Sequence, residues 1–219
     1  AILSRAVNSR QPLPALLDAH YPWVAHACEA LERLFDAYAQ AKAQQQLLDY
    51  DDLLLAWWHL LQQPALAQAL AARFDHVLVD EYQDTNRLQA EILLAMAPGG
   101  RGLTVVGDDA QAIYSFRAAE VRNILDFPAA FTPPAEVLTL QRNYRSTQPL
   151  LDASNAVIAL ATERHPKTLW TDRAAALRPR LVTVADDAEQ ARWVADEVLR
   201  QREEGLRLKR QAVLFRASH

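Results

Sequence analysis

The 219-residue chain contains one cysteine, one methionine, five glycines and only three lysines, and each shortage excludes something. With Cys28 alone, there is no internal disulfide and no cysteine-ligated zinc, which suits a reducing compartment; its helical setting predicts a small core residue. No apolar stretch approaches the length needed to cross a bilayer, and the start Ala1-Ile2-Leu3-Ser4-Arg5 lacks a signal-peptide layout. A cytoplasmic, nucleoid-associated protein with no membrane partner is therefore expected. None of Gly99, Gly100, Gly102, Gly107 and Gly205 precedes a lysine, so these residues contain no phosphate-cradling Gly-x-x-x-x-Gly-Lys-Ser/Thr loop. There is no initiator methionine, and the last residues, Phe215 to His219, directly follow a strand-like run, so both ends read as cuts inside a longer protein. A net charge of -4 excludes a globally basic surface, so any nucleic-acid contact must be local. Lysine scarcity leaves the positive charge almost wholly to arginine, which suits bidentate phosphate contacts, although a genome-wide composition bias produces the same pattern.

What is present is a 51% hydrophobic chain with material for one large or two smaller globular domains. Pro12, Pro14 and Pro22 are expected to break up any long helix before residue 28. A helix follows in which Leu31, Leu34, Phe35, Tyr38 and Ala41 share one face. Further on, Asp51 or Asp52 is placed to cap a helix that buries the later leucines and tryptophans. From about residue 73 strands and helices alternate. Strands at Val77–Val79 and Leu103–Val106 flank a helix capped by Asn86, with Gln89 three positions on, and ended by Pro98-Gly99-Gly100. Residues 128–134 read as a linker. Beyond them come strands at 137–140, 181–184 and 212–215, with helices from about 146 past 158 and over 188–202. The pattern predicts an α/β chain of two parallel-sheet units joined near residue 134.

Three polar clusters each follow a predicted strand: Asp80-Glu81, Gly107-Asp108-Asp109-Ala110-Gln111, and Gln141-Arg142-Asn143-Tyr144-Arg145-Ser146. Ligands in open α/β sheets bind outside the carboxyl ends of strands, so these clusters are placed for nucleotide chemistry. Asp80 suits Mg²⁺, which keeps much of its water, and Glu81 suits activation of an attacking water; a helix cap is the local alternative for both. Gln111 is placed to touch a terminal phosphate, or is an ordinary loop amide. Arg145 is placed to reach a phosphate held by the other unit, or makes a surface salt bridge. Tyr144 stacks on a base or packs half-buried. Tyr114, Phe116 and Arg117 interleave aromatics with a cation, as a surface for unpaired bases does, with core burial of Phe116 as the alternative.

In this order, Val77 to Asn86 (VLVDEYQDTN), Val105 to Ala119 (VVGDDAQAIYSFRAA) and Leu140 to Thr147 (LQRNYRST) resemble the second, third and fourth signature motifs of the UvrD/Rep group of superfamily 1 DNA helicases. Leu48 to Leu54 resembles a further element upstream. The resemblance implies parts of two RecA-like motor domains of the P-loop NTPase type plus the remnant of an inserted helical subdomain. Residues 1–45 would be the end of that subdomain, 46–134 the later part of the first motor domain, and 135–219 the start of the second. It implies an ATP-driven motor moving 3′ to 5′ on single-stranded DNA and opening duplex junctions, with ATP and Mg²⁺ as cofactors and repair or replication proteins as possible partners. By motif match, Asp80 would bind Mg²⁺, Glu81 would be the general base, Gln111 would contact the γ-phosphate, Arg145 would be an arginine finger, and Tyr144 would stack near adenine. Tyr114, Phe116 and Arg117 would line the DNA path. Ala118 departs from the glycine usual after Phe-Arg in this family.

With no phosphate loop, the isolated segment is expected to be inactive although its parent hydrolyses ATP. A non-catalytic helicase-like module that holds DNA or protein is the alternative. A metal-dependent nuclease using Asp80, Glu81 and Asp108 ranks last, because no histidine or lysine stands near these motifs in sequence.

Overall fold

A computed structural model describes residues 1–174 and 177–215. The first third is helical: α1 (Ile2–Ser9), α2 (Leu13–His20), a 3₁₀ turn over Pro22–Ala27, α3 (Cys28–Gln44), α4 (Tyr50–Leu61) and α5 (Pro64–Ala71). The prolines here start helices as much as they interrupt them. Pro14, Pro22 and Pro64 sit in first turns, where a missing N–H costs nothing because no intrahelical acceptor exists for it. The cap of α4 is Asp49, not Asp51 or Asp52. Its carboxylate accepts from Asp52 N–H at 2.9 Å, and Asp52 returns a bond to Asp49 N–H at 2.9 Å. Asp52 therefore stands at the third helical position, where its side chain closes a capping box.

The α3 helix forms as the spacing predicts, yet its apolar face stays open: Leu34 and Tyr38 are exposed, and no α3 residue is buried. Cys28, expected in the core, is half-buried at the first position of α3, because the helix that carries it lies outside the apolar clusters found among the described residues.

The α/β part begins at β1 (Val77–Val79), passes through α6 (Arg87–Met96), and returns in β2 (Leu103–Val105). The two strands pair in parallel with Val77 opposite Leu103, Leu78 opposite Thr104 and Val79 opposite Val105. Gly102 enters β2 at φ 72°, where a Cβ would lie 2.3 Å from the carbonyl oxygen of Asp75, so only glycine fits. The N-cap of α6 is the one the sequence predicts: Asn86 accepts from Gln89 N–H at 2.8 Å, and Gln89 accepts from Asn86 N–H at 3.0 Å.

Helix α6 divides the core. Ala90 and Leu93 join Tyr82, Ile124 and Phe127 against the inner faces of Val77, Val79, Leu103 and Val105. Leu88 and Ile92 turn the other way, onto Leu61 and the flanking Val7, Leu54, Trp58 and Leu70. The helical third and the sheet are thus built on opposite faces of one helix. Beyond β2 come α7 (Arg122–Asp126), α8 (Gln148–Ile158, N-cap Thr147) and α9 (Asp187–Glu203), the last capped by Asp186, which accepts from Glu189 N–H at 2.7 Å.

The strands expected at 137–140, 181–184 and 212–215 do not form. Among the described residues of this part, strand-like pairing amounts to one parallel bridge, Arg142 to Trp170. A strand exists only through its ladder, and these runs have no neighbour to bond; Leu138, Leu140, Leu181 and Leu214 stay exposed. The α/β class holds for residues 77–105, with a two-stranded sheet, and two full parallel sheets are absent among the described residues.

Candidate nucleotide and nucleic-acid site

β1 and β2 end side by side, and each releases a turn that carries candidate chemistry. Val106 N–H donates to the Val79 carbonyl at 2.7 Å, and Tyr82 N–H donates to the Val106 carbonyl at 2.9 Å, so pairing continues past the strands and locks the two turns together. Asp80 is exposed, and one of its oxygens, Oδ1, accepts from Glu81 N–H at 3.0 Å. Glu81 adopts the left-handed conformation, φ 51° and ψ 42°. For a long side chain that conformation costs free energy, and such residues persist only where surrounding contacts fix them.

Gln83 supplies such a contact. It is 1% exposed, it donates to Glu81 Oε2 at 2.7 Å, and it accepts from Asp108 N–H at 2.9 Å. Gly107 makes room for it, since a Cβ there would lie 2.6 Å from Gln83 Oε1 and 2.7 Å from Ile124 Cδ1. Asp108 then opens a 3₁₀ turn over Asp109–Gln111, accepting from Ala110 N–H at 2.9 Å and from Gln111 Nε2 at 2.9 Å. Glu81 and Gln111 are therefore tied through Gln83 and Asp108, and both remain exposed.

Lys167 joins this turn from far along the chain. Its ammonium contacts Asp108 Oδ1 and lies 3.3 Å from Asp109 Oδ1. Burial alone would raise the Asp108 carboxyl, but hydrogen bonds from Gln111 and Lys167, the lysine charge and Ala110 N–H outweigh it and hold the carboxyl below its ordinary range. Two further contacts seat the same segment: Glu163 pairs with Arg122 at 2.9 Å, and His165 Nε2 lies 3.2 Å from the Ile124 carbonyl. A lysine thus does stand beside these motifs, and it neutralises Asp108; the described residues hold no cluster of three metal-ligating side chains. The nuclease alternative loses its third carboxylate.

Downstream of Gln111 the chain presents its aromatics to solvent. Phe116 is 69% exposed, so core burial is excluded for it, and Tyr114 lies 5.7 Å away between ring centroids. The Arg117 guanidinium sits 5.5 Å from the Tyr114 ring and 5.6 Å from the Phe116 ring. The segment is fastened at its far end, where Ala118 N–H donates to the Ser115 carbonyl and Glu120 N–H to the Thr85 carbonyl, both at 3.0 Å. Ala118, where the resemblance leads glycine to be expected, adopts φ 63° and ψ 18°, a left-handed turn made without glycine.

Tyr144 and Arg145 lie on a separate turn. Asn143 Oδ1 accepts from the N–H groups of Arg145 and Ser146 at 2.9 and 2.7 Å, and Arg173 donates to the carbonyls of Tyr144 and Arg145 at 3.1 and 2.8 Å. The Arg145 guanidinium makes no ion pair among the described residues, which removes the salt-bridge alternative there. Tyr144 is exposed, and the Arg142 guanidinium lies 5.1 Å from its ring and 5.4 Å from that of Trp170. No hydrogen bond or ion pair among the described residues joins this turn to Asp80, Glu81 or Gln111. The structure ties Glu81 to Gln111 through Gln83 and Asp108, with Asp80 and the aromatic segment adjoining them along the chain, and it does not join Tyr144 and Arg145 to them by hydrogen bonds or ion pairs among the described residues. Gln83, Lys167 and Trp170 are additions; Gln83 lay inside a motif already singled out, whereas nothing local marked the other two.

Comparison with known proteins gives the family. Residues 5–132 match the UvrD/REP helicase N-terminal domain, and residues 138–219 match the UvrD-like helicase C-terminal domain. The ATP-dependent DNA helicase PcrA of Staphylococcus aureus is 30% identical over 212 residues, covering 96% of this chain and 29% of its own length. PcrA of Staphylococcus epidermidis is 32% identical over 186 residues, covering 84% of this chain and 25% of its own length. The chain thus spans less than a third of the curated relatives it matches. With the N-terminal domain match alone taking in more than half of its residues, the chain belongs to the UvrD/REP helicase family.

Proposed function

We propose that the chain is the hydrolytic and DNA-gripping portion of an ATP-dependent helicase that moves 3′ to 5′ along single-stranded DNA and opens duplex junctions. Residues 1–45 belong on this reading to a helical subdomain, 46–134 to one RecA-like motor domain and 135–219 to the next. The observation that carries it is the short covalent link between Gln111 and the exposed Tyr114, Phe116 and Arg117, on a turn hydrogen-bonded to Glu81's own turn. A phosphate-sensing amide and a base-stacking surface then move together.

The residues fit Mg²⁺ and reject a complete triphosphate site. Mg²⁺ is held through one or two carboxylates with water and phosphate in its other positions, and Asp80 offers an exposed carboxylate with one oxygen free of protein donors. The triphosphate cradle has no counterpart, because no Gly-Lys-Ser/Thr sequence occurs in these 219 residues. ATP, when held by a complete motor, supplies the anhydride whose cleavage drives movement. Glu81 keeps Oε1 free of the Gln83 bond and takes a proton there from the attacking water. In such a motor Gln111 would contact the terminal phosphate, Arg145 would bring positive charge to it on domain closure, and Tyr144 would stack on the adenine. A module that grips DNA without hydrolysis is the second reading, and the missing loop favours it for the chain taken alone.

The test is anisotropy of a fluorescent oligo-dT with the chain and its Phe116→Ala and Tyr114→Ala variants. Each lost stacking contact should weaken binding by about 5- to 150-fold, from roughly 1–3 kcal/mol per base. Unchanged affinity in both variants would remove the DNA path from this surface. The chain alone should show negligible ATPase activity, and DNA-stimulated turnover by a clean preparation would show that it holds triphosphate without the loop.

A further inference from the structure

We infer that Gln83 is a positioning residue that fixes the Glu81 carboxylate to the turn carrying Gln111, so that base and phosphate sensor act as one unit. The inference rests on the reading of Glu81 as general base.

The partners of the Gln83 amide settle its orientation: a carboxylate only accepts, and a backbone N–H only donates. The amide nitrogen must face Glu81 Oε2 and the oxygen must face Asp108 N–H, as found at 2.7 and 2.9 Å. At 1% exposure, with its oxygen 2.6 Å from where a Cβ on Gly107 would lie, the amide is shielded from water that would compete for these bonds. Burial of such a group without both partners is costly, so the side chain holds the two turns at fixed separation. The bonds run on without interruption from Asp108 Oδ2 to Gln111 Nε2 at 2.9 Å. A displacement of Gln111 is thereby transmitted to Glu81 through two residues. The left-handed backbone at Glu81 makes the tether necessary, since an untethered glutamate relaxes away from that conformation.

Packing alone does not account for this arrangement. An apolar side chain of similar volume would fill the same space beside Gly107, and would leave the Glu81 carboxylate free to rotate. Gln83→Glu separates the two bonds, because it keeps an acceptor for Asp108 N–H and replaces the donor to Glu81 with a second carboxylate. Gln83→Met removes both bonds at nearly constant size.

The experiment is DNA-stimulated ATP hydrolysis by full-length helicase carrying this chain. Gln83→Glu and Gln83→Met should each lower kcat by about 10²-fold, the lower range for loss of positioned general-base catalysis, with KM for ATP and oligo-dT affinity within about twofold. On a Glu81→Gln background neither substitution should lower kcat further. Wild-type kcat in Gln83→Glu, a loss confined to KM, or a full additional loss on the Glu81→Gln background would each overturn the inference. Should Gln83→Met fail to fold, Gln83→Glu and its double variant decide alone. Undiminished turnover in Glu81→Gln by itself would instead overturn the general-base reading.

Discussion

Lys167 closes the acidic turn after β2 from 59 residues away, pairing with Asp108 and, at 3.3 Å, with Asp109. Solvent screens this pair little, since the lysine side chain is 12% exposed and that of Asp109 is 5% exposed. Lys167→Met strands two carboxylates, and should destabilise the chain by about 2 kcal/mol, between the values for exposed and buried pairs. Urea denaturation measures this, and Asp108→Asn on the same background should restore part of the loss. Because the Asp108 carboxyl is held low when folded, its contribution is present above the ordinary carboxylate range and lost as pH falls through the folded value. Lys167→Met should flatten that acid limb, and an unchanged acid limb would count against the pairing.

Ala118→Gly should stabilise the chain. The left-handed backbone costs an alanine about 1–2 kcal/mol, and glycine's greater freedom in the unfolded chain returns about 0.5–1 kcal/mol of that, leaving a net gain of up to about 1.5 kcal/mol. A rise in Tm is the expected result; a fall would mean that the buried methyl of Ala118 matters more than its backbone strain.

Asn8 and Asn86 form a buried pair across 78 residues, with Asn86 Nδ2 donating to Asn8 Oδ1 at 2.8 Å. Asn8 Nδ2 in turn reaches Asp51 Oδ1 at 2.7 Å, so one amide joins α1, α4 and the cap of α6. Asn8→Ala leaves a buried donor without a partner and should cost about 1–3 kcal/mol in chemical denaturation. A loss under about 0.5 kcal/mol would place little weight on this junction.

Lys42 gives the helical third a pH signature at both ends of the scale. Burial lowers its ammonium, but hydrogen bonds to Asp49 and Asp52 prevail and push it up to about 12. The Lys42 hydrogen bond, aided by Asp52 N–H and Tyr38 against the opposing effect of burial, holds Asp49 down to about 2. The Asp49 contribution is complete above its ordinary 3.8 and is lost as pH falls toward about 2. The Lys42 contribution is complete below its ordinary 10.5 and is lost as pH rises through about 12. Thermal melts of Lys42→Met should lack both limbs, and a wild-type acid limb in that variant would assign it elsewhere.

Local chemistry was the legible part of this chain. The Asn86–Gln89 box reports itself through residue types three positions apart, and so does the strand-turn placement of Asp80 and Glu81. Asp49, the cap of α4, is followed within three residues by two more aspartates, and residue type alone does not separate the three as caps. The runs at 137–140 and 181–184 have the composition of strands, yet a ladder is a property of two segments, and composition describes one. Long-range pairing explains the other omissions: nothing around Lys167 marks it for Asp108, and nothing in Gln83 itself announces that it will be buried between two turns. The exposure of Phe116 fell between these cases, open by sequence and settled by where the 114–118 turn is fastened.

The left-handed backbone at Glu81 sets a limit on how far this chain can be hardened. Glycine or asparagine would sit there with less strain, so any selection for heat resistance alone drives position 81 away from a carboxylate. On the proposed reading of Glu81 as general base, robustness and catalysis compete at one residue, since a carboxylate there comes at the expense of a firmer turn.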